Sequence, residues 1–189
     1  MKSRYGKPHI GWTTALALLV LPAPAAADQT DPRLTPLFEV LRSATTPDRI
    51  GYAERFIWMI WHESGREDVD RLMETGIEEM GSGRLRESIA TFGRVIDLAP
   101  EFAEGWNKRA TARYLAGEFD ASIEDVERTL ALEPRHFGAL SGLGLLHLAK
   151  GDELGALRAF EATLEVHPRA PAARYHVQRL RAKLKANTT

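Results

Sequence analysis

Apolar residues recur at helical spacing along most of this chain, and the pattern repeats itself every 34 residues. Pro100, Pro134 and Pro168 lie 34 residues apart. The same interval separates four other sets of residues: Gly83, Gly117 and Gly151; Leu98, Leu132 and Val166; Ile89, Ile123 and Leu157; Phe92, Val126 and Phe160. Five positions in register over three copies indicate an array of one repeated structural unit.

Each unit is predicted to be a pair of short helices. In the middle copy, the first helix spans about 103–116 and ends at Gly117, because glycine adopts the left-handed C-cap conformation without strain. The second helix spans about 119–132 and stops before Pro134, which cannot continue the helical hydrogen bonds. Helices of this length are marginal alone, so we expect neighbouring units to stack and share one core.

These residues resemble the tetratricopeptide repeat, whose pattern has an early aromatic, a turn glycine, a small residue and an aromatic in the second helix, and a closing proline. The matching residues are Gly76, Gly83, Ser88, Phe92 and Pro100, then Trp106, Gly117, Ser122, Ile123 and Pro134, then Leu140, Gly144, Gly151, Ala156, Phe160 and Pro168. The resemblance implies an all-α, right-handed solenoid with repeats at 69–102, 103–136 and 137–170. Stretches 103–112 and 130–146 also look like exported proteobacterial proteins of this family, which implies no defined activity.

The sequence departs from the family pattern at several positions. Leu72 stands where the first repeat would carry an aromatic, and Ser88 and Ser122 replace the usual alanine. Arg109 stands where a leucine is usually buried. Because a buried guanidinium must be paired, we expect an ion pair with Asp125 on the second helix of the same repeat, with Glu78 of the previous repeat as the second candidate,.

Helical patterns also flank the three repeats. Residues 28–68 are predicted to form a divergent hairpin, whose second helix begins at Pro47 with Thr46 as its cap. Residues 171–189 are predicted to form a C-terminal capping helix and tail, as the open end of a stack requires. Trp58 and Trp61 admit two interpretations: burial between the first helix and the first repeat, or exposure for a partner.

The first residues have the three parts of a secretory signal peptide. A basic head precedes an apolar run, and small residues around Ala25 and Ala27 follow it,. We expect cleavage after Ala27, so that 1–27 is removed; the alternative is an uncleaved anchor, but the apolar run is short for a span of about 20 residues. The chain contains no cysteine, which suits an oxidising compartment,. The sequence therefore predicts a periplasmic protein with no transmembrane anchor after cleavage.

Composition and motifs favour binding over catalysis. The chain is 44% hydrophobic and 27% charged with a net charge of −1, which does not indicate nucleic acid as a partner,. None of the six histidines has the spacing of a zinc hydrolase, and no phosphate loop or nucleophile elbow is present,. We therefore predict no catalytic residue, no metal, no cofactor and no enzymatic activity.

The resemblance implies a concave groove lined by the first helix of each repeat. Corresponding positions along these helices and the end helix give the candidate groove residues: Met73, Ile77, Met80, Asn107, Lys108, Thr111, Tyr114, Ser141, Leu145, Leu148, Tyr175 and Arg179. The expected ligand is a peptide or a protein surface. Family members that clamp chaperone C-termini carry several basic and amide residues in this groove, and here only Lys108 is suitable, so that subtype is not expected.

Two alternatives stay open. The end helix carries five basic residues on one side: Arg174, Arg179, Arg181, Lys183 and Lys185. This basic surface could bind phospholipid headgroups or an acidic partner; equally, positive charge near a helix C-terminus can simply offset the helix dipole. The protein could be an independent adaptor, or an accessory or specificity subunit of a cell-envelope enzyme.

Overall fold

The computed structural model describes residues 29–186, and all the regular structure in that range is helical. Nine helices follow one another: α1 Leu34–Ser43, α2 Pro47–His62, α3 Glu67–Gly81, α4 Leu85–Leu98, α5 Ala103–Ala116, α6 Phe119–Leu132, α7 Phe137–Ala149, α8 Glu153–Val166 and α9 Pro171–Ala186. The predicted signal peptide and residues 187–189 lie outside the described residues. The all-α fold predicted from the repeat is confirmed.

Each of the three repeats turns at a glycine with a positive φ. Gly117, at the end of α5, has φ 80°, and Gly83 and Gly151 take the same conformation. The backbone N–H groups of Gly117 and Glu118 donate to the carbonyls of Tyr114 and Arg113, at 3.1 and 2.9 Å. These bonds satisfy carbonyls in the last turn of the helix, and the chain then reverses into the second helix of the repeat. Glycine is needed at this turn because any other residue would be strained at this φ.

The interior of each repeat is filled by a matched small and large residue. A Cβ on Gly76 would lie 2.6 Å from the ring of Phe92, and a Cβ on Gly144 would lie 2.6 Å from the ring of Phe160. In the middle repeat these positions carry Ala110 and Val126, which lie in one buried cluster. A larger residue on one helix is therefore offset by a smaller one on the other, as close packing requires.

Polar contacts accommodate the serine and arginine departures from the family pattern. Ser122 Oγ donates to the carbonyl of Ala110 at 2.7 Å, so its hydroxyl is satisfied although the side chain is buried. Arg109 donates to both carboxylate oxygens of Asp125, at 2.9 and 2.7 Å, and Arg113 donates to the same carboxylate at 2.8 Å. The predicted pairing of Arg109 with Asp125 is present, with Arg113 as a second partner.

Consecutive helices from α3 to α9 pack against one another, which makes the repeats a continuous solenoid. The last helix packs on α8, where Val177 and Leu180 share a buried cluster with Phe160. The apolar face of α9 thereby covers the end of the third repeat.

The N-terminal hairpin packs differently from the arrangement expected from the sequence. Helices α1 and α2 bury Phe38 and Trp61 between them. Trp61 then stacks on His136, and Trp58 contacts His136 and Phe137 at the start of α7. Helix α2 also contacts α5, and α1 contacts α8. The expectation of packing against the first repeat is therefore wrong for these rings, because their partners belong to the second and third repeats.

The predicted cap of α2 is also corrected. Thr46 does stand at the N-cap position with extended backbone, but its side chain makes no capping hydrogen bond. Pro47 at the first helical position and Asp48 in the first turn define the start of the helix instead,.

Candidate binding groove

An open cavity of about 230 Å³ lies between α5 and α7 on the side formed by the first helices of the repeats. Five of the predicted groove residues line it: Asn107, Thr111, Tyr114, Ser141 and Leu145. Its remaining lining is small or apolar: Ala110, Ser122, Val126, Gly138, Gly142 and Leu146. The structure thus brings the central predicted residues together around one space.

No charged side chain lines this cavity, and its polar groups are few. Thr111 Oγ1 donates to the backbone carbonyl of Asn107 at 3.0 Å, and the Asn107 amide donates to Glu104 at 2.8 Å. Ser141 makes one long hydrogen bond of 3.4 Å to Thr163. An apolar space edged by hydroxyl and amide groups suits an uncharged side chain with its peptide backbone nearby.

A buried carboxylate at the start of α5 organises one end of the groove. Glu104 accepts from His136 Nε2 at 3.0 Å and from Asn107 at 2.8 Å, and its other oxygen faces Lys108 Nζ at 3.0 Å and His62 Nε2 at 3.4 Å. Burial alone would raise the pKa of Glu104, but the hydrogen bond from His136 and the nearby charge of Lys108, with weaker contributions from the imidazoles of His136 and His62, outweigh it and lower the pKa to about 2. Glu104 is therefore an ionised group inside the fold.

His136 connects this carboxylate to α2 and α7. Its Nδ1 accepts a hydrogen bond from the backbone N–H of Ala139 at 3.0 Å, so Nε2 is the nitrogen that donates to Glu104,. The ring lies parallel to Trp61, with centroids 4.1 Å apart. The imidazole thus caps α7 and forms part of the surface on which the N-terminal hairpin rests.

Helix α2 closes the groove next to Gly138. A Cβ on Gly138 would lie 2.6 Å from Cη2 of Trp58, so only glycine leaves room for that ring. The ammonium of Lys108 stands 5.7 Å from the centroid of Trp58,. Because Gly138 both lines the cavity and contacts Trp58, this end of the cavity borders on helix α2.

Two groups of the predicted residues do not reach this cavity. Met73 is 3% exposed and lies in the core of the first repeat, with Ile77 and Met80 packed against the same cluster. The prediction that Met73 contacts a ligand is therefore wrong, because its side chain is buried in a cluster with Phe92, Val95, Phe102 and Ala112. Lys108 is likewise engaged within the fold, by Glu104 and Trp58.

The remaining predicted residues lie beside α9. Leu148 and Arg179 line a separate recess of about 130 Å³ with His176, whose pKa is lowered by burial and by the charge of Arg179. Tyr175 is exposed, and Arg179 donates to its hydroxyl at 3.3 Å. These three residues therefore belong to a different surface from the cavity between α5 and α7.

Sequence reasoning missed Glu104 and the role of Gly138 and Gly142. A glutamate in the first turn of a helix is an ordinary dipole-compensating residue, so Glu104 gave no signal in the sequence. Gly138 and Gly142, four residues apart on one face of α7, could have indicated that this face leaves open space beside the helix.

Among residues 29–186, no group of three or more histidine or acidic side chains is placed to hold a metal ion. No helix in the same range is long and apolar enough to cross a membrane.

Comparisons with known proteins agree with this architecture. A family profile described as "Tetratricopeptide repeat" matches residues 73–126 and 107–157. A "TPR repeat-containing protein" of Rhizobium etli is 33% identical over 157 residues, which cover 83% of this chain and 77% of that protein. The first TPR domain of Spaghetti (RPAP3) bound to an HSP90 peptide has a TM-score of 0.59 at 22% identity, covering 62% of this chain and 93% of that one. The Yersinia enterocolitica secretion chaperone SycD, in complex with a peptide of YopD, has a TM-score of 0.56 at 15% identity, covering 64% and 92%.

Proposed function

Because the chain belongs to the tetratricopeptide repeat family, we propose that it is a non-catalytic adaptor that binds a peptide segment of a partner protein between α5 and α7. The observation that carries this proposal is the open, uncharged cavity lined by Asn107, Thr111, Tyr114, Ser141 and Leu145. The Spaghetti domain and SycD, which share the fold, are each described in complex with a peptide. Those complexes support a peptide as the ligand class here.

The chemistry of the lining suits a peptide more than a small polar molecule. Tyr114 and Leu145 supply apolar surface for a side chain, and the Tyr114 hydroxyl remains available to a ligand backbone,. Asn107 contributes its carbonyl oxygen, since its amide already donates to Glu104,. The apolar walls would give most of the affinity, and these few polar groups would orient the chain.

The groove is not built to clamp a terminal carboxylate. Lys108, the one suitable cation, is already paired with buried Glu104. Gly138 and Gly142 present no donor side chain, and Ile77 packs on the core. The segment bound here is therefore proposed to be internal to its partner, with its affinity set by apolar contacts.

We expect the groove to tolerate a charge for folding but not for binding. Leu145 lines the cavity and is 37% exposed, so Leu145→Arg should fold while placing a guanidinium against the apolar walls,. Envelope extract of the native host is passed over the immobilised protein, and the captured partner is identified by mass spectrometry. Binding of that purified partner to Leu145→Arg should weaken by about 100-fold, from the loss of roughly 3 kcal/mol.

The matched control places the same substitution elsewhere. Leu154 is an exposed leucine on α8 that does not line the cavity, so Leu154→Arg should keep wild-type affinity. Charge reversal at Arg181 and Lys183 tests the basic helix; these residues are already paired with Glu161 and Glu153. If the α9 variant loses binding while Leu145→Arg retains it, the binding surface is α9 and not the cavity between α5 and α7.

We further propose that the protein acts in the periplasm after removal of residues 1–27. The support is the basic head, apolar run and small residues of that segment,. N-terminal sequencing of protein purified from the native host should read from Asp28 or a neighbouring residue. Protein that retains Met1 and sediments with membranes would overturn both the cleavage and the compartment.

A further inference from the structure

Helix α7 contains three glycines, and packing explains only two of them. Gly138 leaves room for Trp58, and Gly144 leaves room for Phe160; in both cases a Cβ would approach the ring to 2.6 Å. Gly142 has no such neighbour, because a Cβ there would meet nothing within 4 Å. It lies in the middle of the helix, where glycine is less favourable than alanine,. Folding therefore gives no reason for a glycine at this position.

The open space at Gly142 belongs to the cavity between α5 and α7. Gly142 is part of its wall, one helical turn along from Gly138, with Tyr114 and Leu145 also lining the cavity,. The volume of about 230 Å³ is sufficient for one large side chain. No charged residue lines the space, so a charged side chain would lose its hydration there without gaining a partner.

We infer that the bound segment inserts one large uncharged side chain, preferentially aromatic, against Gly142; this rests on the proposed peptide-binding function and specifies the ligand. The molecule itself shows the packing twice on this helix, with rings seated on Gly138 and Gly144. The site at Gly142 repeats that arrangement with its ring supplied by the partner. Tyr114 provides an aromatic wall for it, and Leu145 an aliphatic one,.

The contact of α2 with α7 sets the direction from which the partner enters. Trp58 occupies the position over Gly138, so the inserted side chain lies immediately beyond an interface that α2 has already formed. A bound segment cannot continue past Gly138 along the groove, because α2 stands there. The partner therefore extends from Gly142 toward the C-terminal end of α7, where Leu145 is exposed.

Small capped amino acids test this inference without knowledge of the partner. The probes are the N-acetyl amides of phenylalanine, leucine, alanine and aspartate, titrated into the ¹⁵N-labelled mature chain up to their solubility limits. The phenylalanine amide should shift the backbone amide signals of Gly142 and Leu145 and bind about tenfold or more tightly than the alanine amide. The aspartate amide should leave these signals in place.

Filling the space from the protein side provides the variant test. Gly142→Leu should melt at or above the wild-type temperature and bind the phenylalanine amide at least about tenfold more weakly. Gly142→Ala is the smaller version, should the leucine perturb the helix. Gly81→Leu is the matched control, since a Cβ at Gly81 also meets nothing within 4 Å and this residue lies at the end of α3, outside the cavity.

The outcomes separate this inference from the proposed function. Equal binding of the phenylalanine and alanine amides, no shift at Gly142, or full phenylalanine-amide binding by Gly142→Leu would overturn the aromatic insertion. The proposed function is tested instead by the affinity for the captured partner, which Leu145→Arg should weaken and Leu154→Arg should leave unchanged. A partner that needs the groove but is indifferent to Gly142→Leu would retain the function and refute the inference.

Discussion

Glu104→Ala is expected to lower the free energy of unfolding by about 3–5 kcal/mol, because it leaves the buried donors of His136 and Asn107 and the partly buried ammonium of Lys108 without their carboxylate,. Glu104 is fully enclosed and is contacted by His136, Asn107 and Lys108. Chemical denaturation monitored by circular dichroism gives the change. Tryptophan fluorescence should shift to the red as well, since Trp61 stacks on the His136 ring that Glu104 holds in place.

A surface ion pair serves as the control for Glu104. Glu161 pairs with Arg181 at 2.7 Å in a partly exposed setting, so Glu161→Ala should change stability by about 1 kcal/mol at most,. Similar losses for the two variants would mean that the Glu104 network is not a buried tie between the hairpin and the repeats.

The same carboxylate determines part of the acid response. Its pKa in the fold, about 2, lies below the ordinary 4.5, so ionised Glu104 stabilises the fold by about 3 kcal/mol above pH 4.5,. That contribution declines as the pH falls from 4.5 toward 2. Glu104→Gln should therefore lose less stability than wild type over this interval, which denaturation at a series of pH values measures. Parallel curves for the two proteins would contradict the assignment.

Trp61→Ala is expected to cost about 3–5 kcal/mol, since the ring is 1% exposed and fills the junction between the hairpin and the repeats,. It contacts Phe38 on α1, and His136 and Phe137 at the start of α7. Hydrogen exchange should then show faster exchange in both α1 and α2, because the hairpin loses a large buried contact with the solenoid. Thermal denaturation gives the stability change.

Tyr52 provides the control for Trp61. It lies on the outer side of α2 and is 48% exposed, so Tyr52→Ala should alter stability by about 0.5 kcal/mol,. If Trp61→Ala melts as wild type does, or if exchange rises only in the first repeat, the docking of α2 on the second and third repeats is incorrect.

The repeats could be predicted in detail because their signals are local. Gly117 and Pro134 mark helix ends by their own backbone chemistry, and α5 and α6 begin and end at the residues expected,. Trp106 shows that a match to the family pattern does not fix how deeply a side chain is buried. This early aromatic of the middle repeat is only partly buried: its Nε1 donates to the Pro100 carbonyl, and the guanidinium groups of Arg109 and Arg128 lie over the ring.

The candidate site was only partly predictable for a related reason. Corresponding positions on α5 and α7 identified the cavity lining, but they could not show that Met73 is buried in the core of the first repeat while Leu145 faces open space. The hairpin was harder still. Its placement depends on Trp58 fitting over Gly138 and on Trp61 meeting His136, contacts between residues about eighty positions apart that no periodicity encodes,.

The docking of the hairpin also imposes an order on folding. Most repeat arrays can begin to fold anywhere, since each unit contacts only its neighbours. Here His167 donates to Glu54 across 113 positions of sequence. The N-terminal hairpin is synthesised first, yet its docking surface is complete only after the loop that carries His167 has been made. Closing so long a loop is slow compared with local hairpin formation, so docking of the hairpin should be a late step that ties the first residues of the fold to its last repeat.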